Sequence, residues 1–174
     1  MKVLVVIDMQ KDFIDGALGT REAVKIVPHV AERIRTFEGR ILATRDTHEE
    51  DYLSTQEGRN LPVKHCIRGT KGWEICQEIR ELIKEEPIDK MTFGSVELGN
   101  ILKEYHEQEE PIESITLIGL CTDICVISNA MIIKASLPEV PVIVDAECCA
   151  GVTQESHKQA LEAMKVCQIA VVND

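Results

Sequence analysis

Short apolar runs separated by polar turns recur along the chain, at residues 3–7, 41–43, 115–120, 142–144 and 169–172. Runs of this length and uniformity read as strands buried on both faces, because a half-exposed strand would alternate apolar and polar residues. Between them lie apolar residues at three- and four-residue spacing: Ile34 and Phe37 after Pro28; Ile75, Ile79, Leu82 and Ile83; Leu98, Ile101, Leu102 and Tyr105; Ala160, Leu161 and Met164. That spacing suits one face of a helix packed on a sheet. Parallel strands need crossover connections, so the alternation predicts an α/β fold with helices on both faces. A short strand around Ile88 makes six, giving a mostly parallel sheet covered by helices on both faces. Residues 124–137 are apolar almost all round and predict a deeply buried helix after the fourth strand. Residues 47–72, rich in charge, glycine and histidine, form the one long irregular stretch, and loops of that size are commonly functional.

The chain has 174 residues, with 44% hydrophobic and 28% charged, which suits one globular domain over residues 1–174. No internal repeat or linker suggests a boundary. The net charge of -11 disfavours binding to nucleic acid or anionic membrane, and no basic patch offsets it. The amino-terminal segment meets acidic residues too early for a signal peptide, and no apolar run approaches membrane-spanning length, so a cytoplasmic protein is expected. Seven cysteines, an odd number in such a chain, are expected as free thiols. The pairs Cys121/Cys125 and Cys148/Cys149 lack the spacing of a structural zinc site.

In an open parallel sheet, ligands bind beyond the carboxyl ends of the strands. Three reactive residues fall there: Asp8 after the first run, Lys90 after Ile88, and Cys125 at the start of the buried helix. A cysteine in the first turn of a helix has its thiolate stabilised by unpaired N–H groups. A carboxylate can take the thiol proton, and a lysine can hold that carboxylate ionised, which completes a nucleophile, base and orienter. Taken singly, each has an ordinary structural explanation, and their spacing alone does not establish contact. A second constellation, Asp46 and His48 with Glu57 and His65, offers imidazole and carboxylate donors suited to zinc, iron or manganese.

The segments VVIDMQKDFIDGAL at 5–18, RDTH at 45–48, LPVKHCIRGTKGWE at 61–74, DKMTFGS at 89–95 and GLCTDICVISNA at 119–130 follow one another in an order that resembles the isochorismatase-like cysteine hydrolases, and within them the nicotinamidase branch. The resemblance covers nearly the whole chain. It implies a Rossmann-like three-layer α/β/α fold with a six-stranded, mostly parallel sheet, a catalytic triad of Asp8, Lys90 and Cys125, and a divalent metal ion, zinc first with iron or manganese as alternatives. The ligands it implies are Asp46, His48 and His65, with Glu57 as a further one. It also implies a cis peptide between Leu120 and Cys121, and an oxyanion hole formed by the backbone N–H groups of Cys121 and Cys125. Phe13 matches a position that contacts the substrate ring. Aromatic residues make up only 3% of the chain, so Tyr52 and Trp73 join Phe13 as candidates for the pocket wall.

Residue 121 is cysteine where relatives often carry alanine, and residue 124 is isoleucine where tyrosine is frequent. Neither change removes a catalytic group, but both can reshape a pocket. The resulting expectation is hydrolysis of nicotinamide, or a related small carboxamide, to the acid and ammonia through a thioester. A carbamoyl or other non-pyridine amide is the second reading, and a non-catalytic binding or oligomerisation module the third. The resemblance also implies a homo-oligomer, dimeric or tetrameric.

Overall fold

The computed structural model describes residues 1–174. Six strands form the sheet: β1 (Lys2–Ile7), β2 (Arg40–Asp46), β3 (Ile88–Lys90), β4 (Ser114–Leu120), β5 (Val142–Ala150) and β6 (Ala170–Val172). Seven α-helices accompany them: α1 (Lys11–Ile14), α2 (Arg21–Thr36), α3 (Gln56–Asn60), α4 (Gln77–Arg80), α5 (Val96–Glu104), α6 (Ile127–Ser136) and α7 (Gln154–Val166). The strand order is β3-β2-β1-β4-β5-β6. Every pairing is parallel, so the expected mostly parallel sheet is entirely so. The physical reason is that each pair of sequential strands is joined by a crossover rather than a hairpin.

Alternate residues of β1 feed two separate cores. Val3, Val5 and Ile7 pack with α5, α6 and α7 residues such as Leu98, Ile133 and Leu161. Leu4 and Val6 pack on the other face with Ile26, Val30 and Ile34 of α2. Burial of β1 on both faces explains its uninterrupted apolar sequence.

Two helical readings shift. Ile34 belongs to a helix that starts well before Pro28, at Arg21, capped by the Thr20 side chain accepting from the Ala23 N–H, while Phe37 is the extended residue just past its end. Pro28 is tolerated because it lies on the exposed side of that helix. The pattern from Ile75 to Ile83 yields only the short α4, although Ile75, Ile79 and Ile83 are all buried. The long stretch 47–72 contains a 3-10 turn, Tyr52–Ser54, and α3.

The chain order reverses direction between β1 and β4, leaving a crevice beyond their carboxyl ends. Asp8, Asp46, Lys90 and the turn after Leu120 all lie at that edge.

Candidate active site

Asp8 follows β1 directly and takes a left-handed backbone conformation, φ 47°. Its side chain is fully buried, with Oδ1 accepting from the Thr44 hydroxyl at 2.7 Å. Lys90 ends β3, in register beside Asp46 at the end of β2. The Lys90 Nζ lies 2.7 Å from Asp8 Oδ2, 3.3 Å from Asp46 Oδ1 and 3.5 Å from Cys125 Sγ, and it donates to the Thr92 carbonyl at 3.1 Å. The ammonium is thus shared by two carboxylates and a thiol. Burial alone would favour the neutral amine, but Asp8, Cys125 and Asp46 outweigh it and hold Lys90 above the ordinary lysine range.

Cys125 sits inside a π-helical turn, Thr122–Val126, that leads into α6. Its thiol is pushed well above the usual range, first by burial and then by the Asp8 charge, against the pull of Lys90. Burial and the Asp8 charge thus work against the thiolate that a helix terminus was expected to favour. Burial likewise raises Asp8, although Lys90 opposes the shift. A carboxylate so desolvated is a stronger base than one in water. The Leu120–Cys121 peptide is cis.

The second constellation adjoins the first. Single donor atoms from Asp46, His48 and His65, all three buried, lie within 4.8 Å of one another. Glu57 Oε1 approaches both imidazoles, 3.4 Å from His48 Nε2 and 3.6 Å from His65 Nε2. Asp46 Oδ2 is 3.0 Å from His48 Nε2, yet that nitrogen is buried without a well-directed hydrogen bond. His65 Nδ1 is engaged by the Val63 carbonyl at 2.8 Å, which turns Nε2 toward the cluster. Two imidazole nitrogens and two carboxylates converging on one point, with an orphaned nitrogen among them, fit a borderline divalent cation. Burial lowers the basicity of His48, but Asp46 and Glu57 overcome it and lift the imidazole to about 9, a measure of the negative field at this point. Desolvation works against the Asp46 charge, but His48 and Lys90 keep its carboxyl below the usual range. Asp46 therefore belongs to both groups, one oxygen facing Lys90 and the other the imidazoles.

A cavity of about 740 Å³ opens onto this junction, with Asp46, His65, Cys121 and Cys125 in its wall. Phe13 also lines it, its ring centroid 5.5 Å from that of His65. Tyr52 and Trp73 do not. Tyr52 is fully buried behind the metal-ligand candidates, its ring 4.6 Å from His48 and 5.0 Å from His65, with its hydroxyl donating to the Leu61 carbonyl. Trp73 is held outside the cavity, its face covered by the Arg45 guanidinium at 3.6 Å and its N–H donating to Thr47 Oγ1. In each case a buried polar tip needs a partner, and the partner found fixes the ring elsewhere.

Three supporting residues were not singled out by sequence reasoning. Gln10 donates to the carbonyls of Asp46 and Trp73 and accepts from the Asp46 N–H, all within 2.8 Å. Asn129, one helical turn after Cys125, donates to the Cys125 carbonyl at 2.8 Å and accepts from the Ser95 N–H at 2.9 Å. His157 of α7 meets the buried Thr122 hydroxyl at 2.8 Å. The signals were present for two of them, Gln10 lying two residues after Asp8 and Asn129 four after Cys125.

Comparison with known proteins agrees with this architecture. The isochorismatase domain family profile matches residues 2–173. The nicotinamidase/pyrazinamidase of Mycobacterium tuberculosis is 26% identical over 188 residues, covering 99% of this chain and 98% of that protein. The crystal structure of a pyrazinamidase of Pyrococcus horikoshii in complex with zinc superposes with a TM-score of 0.82 at 30% identity, covering 99% of each chain. An N-carbamoylsarcosine amidase from Thermoplasma acidophilum superposes with a TM-score of 0.76 at 27% identity, covering 98% of this chain and 95% of that one. With its sheet order, its buried Asp8–Lys90–Cys125 cluster and a match spanning nearly every residue, the chain belongs to the isochorismatase family.

Proposed function

We propose that the protein hydrolyses a small carboxamide, nicotinamide first among candidates, to the carboxylic acid and ammonia through a thioester on Cys125. The observation that carries this reading is a thiol and a desolvated carboxylate gathered round one buried lysine at the wall of a cavity. The relatives support it, since they include nicotinamidases and pyrazinamidases, and the chain is a hydrolase acting on amide C–N bonds.

Asp8 takes the thiol proton as Cys125 Sγ bonds to the carbonyl carbon, and the π electrons move onto oxygen. The backbone N–H groups of Cys121 and Cys125 receive that charge, at about 3 kcal/mol per donor. Collapse breaks the C–N bond, and Asp8 returns its proton to the departing nitrogen. A water then attacks the thioester, giving its proton to Asp8; the C–S bond breaks and the sulfur is reprotonated. Lys90 keeps Asp8 ionised between transfers and fixes its orientation. Asp46, His48 and His65, with Glu57 beside them, would hold a divalent cation, zinc first. Bound there, it would supply Lewis acidity toward a ring nitrogen or a water. Phe13 offers a face to the ring.

The likeness to the N-carbamoylsarcosine amidase favours a second reading, a carbamoyl amide processed by the same three residues. An ammonia-release assay over a panel of pyridine, pyrazine and carbamoyl amides decides between them. Release from the ring amides, lost in Cys125→Ala, is the expected result. No release from any amide by the metal-supplemented protein would overturn the proposal.

A further inference from the structure

The cavity is much larger than the reaction at its base requires. A nine-heavy-atom ring carboxamide occupies on the order of 150 Å³ at interior packing density, against a cavity of about 740 Å³. Its chemistry also changes with depth. Asp46, His65 and Cys125 are buried, whereas Leu61, Met91, Phe93 and Val152 line the same cavity and remain 39%, 61%, 47% and 54% exposed. The buried wall carries the reactive groups; the exposed wall carries these four apolar side chains, from three separate segments, beside the polar Gln56, Asn60 and Thr92. Ile124 continues that apolar surface inward, next to Cys125 in sequence. Large side chains left this open are costly in water unless something covers them, and here they converge on one opening rather than lying scattered.

Resting on the amide-hydrolase reading above, we propose that the substrate class is a ring carboxamide bearing an apolar substituent on the ring edge remote from the amide, and that Ile124, Met91, Phe93 and Val152 select for it. The carboxamide carbon sits at Cys125 and the ring beside Phe13, while the substituent covers the apolar mouth. An unsubstituted ring leaves that mouth wet. Each buried methylene contributes about 0.8 kcal/mol, roughly a factor of four in binding, so a four-carbon substituent, even incompletely covered, raises kcat/KM at least tenfold over the parent ring.

The test measures kcat/KM for ammonia release from nicotinamide and from its 5- and 6-methyl, propyl and butyl derivatives. A rise with chain length in at least one series is expected. Phe93→Ser should flatten that rise, as should Met91→Ser, a more exposed position chosen in case the first variant folds poorly. Because the readout is a ratio within each variant, a reduced active fraction cancels. Turnover of nicotinamide with no gain along either series, as when a second copy of the chain covers the mouth, overturns the specificity proposal and leaves the amidase reading standing. A gain that survives both substitutions assigns the selection elsewhere and overturns the residue assignment. Absence of turnover for every ring amide overturns both.

Discussion

At the scale of single residues, the site separates reactivity from stability in a testable way. Cys125 is buried beside Asp8 and Lys90 but contributes only a thiol, so Cys125→Ala removes the nucleophile while leaving the charge pair whole. Turnover should fall by a factor on the order of 10⁴ or more, with the thermal midpoint moving by only a few degrees, as calorimetry would read. Lys90→Met is the opposite case. It strands Asp8 and Asp46, two buried carboxylates, without their shared cation. Breaking such a pair costs about 3–5 kcal/mol, which lowers the midpoint by roughly 6–20 °C in a chain of this size. A Lys90→Met protein as stable as the parent would show that the carboxylates do not depend on the ammonium. His48 allows a third measurement. With its orphaned Nε2 among the converging donors, His48→Ala should lower bound metal, assayed by elemental analysis after dialysis against zinc. Unchanged metal content would remove His48 from the ligand set.

Elements show where local sequence and tertiary packing disagree. The apolar stripe of α2 is regular, with Ala23, Ile26, Val30 and Ile34 all buried, yet Pro28 interrupts the reading because proline usually ends a helix. The helix continues because the stripe's burial outweighs the missing backbone bond on the solvent side. A mid-helix proline costs about 3 kcal/mol relative to alanine, offset in part by the stiffer unfolded chain. Pro28→Ala should therefore stabilise the protein by about 1–2 kcal/mol, a rise of roughly 2–8 °C in the midpoint; an unchanged or lower midpoint would mean that the helix has adapted its course to the ring. The same competition explains the shortfall at α4, where Ile75, Ile79 and Ile83 are buried at helical spacing but only residues 77–80 are helical. Strands were easier to read than helices because β1 and β4 are buried on both faces, and their sequences leave little choice.

At the scale of the whole molecule, the reactive residues were legible because each stands where a strand stops, and the sheet order brings those stops together. The sharing of Asp46 between two groups was not legible: it depends on the pairing of β2 with β3, which places Asp46 beside Lys90. Nor were the positions of Tyr52 and Trp73, since composition says nothing of which face a ring turns. The cysteines make a global case of the same kind, because burial of a thiol is set by the completed fold. Burial raises Cys121 and Cys148 to about 12 and pushes Cys125 and Cys149 up as well, so all four keep their protons well above pH 9 in the folded state. The unfolded chain releases those protons near the ordinary thiol value of 9.0. A group whose folded value is raised contributes its full stability below the unfolded value and loses it as pH climbs toward the folded one. Between pH 9 and 10 the unfolded thiol goes from half to mostly ionised, so each costs about 1 kcal/mol, and the four together remove on the order of 4 kcal/mol, a large share of what holds a domain folded. Urea unfolding followed from pH 8 to 10.5 should show a steep loss of stability above pH 9. Cys148→Ala, which removes one of the four, should reduce the slope by about one proton; an identical slope would mean that this thiol ionises as readily in the fold as outside it.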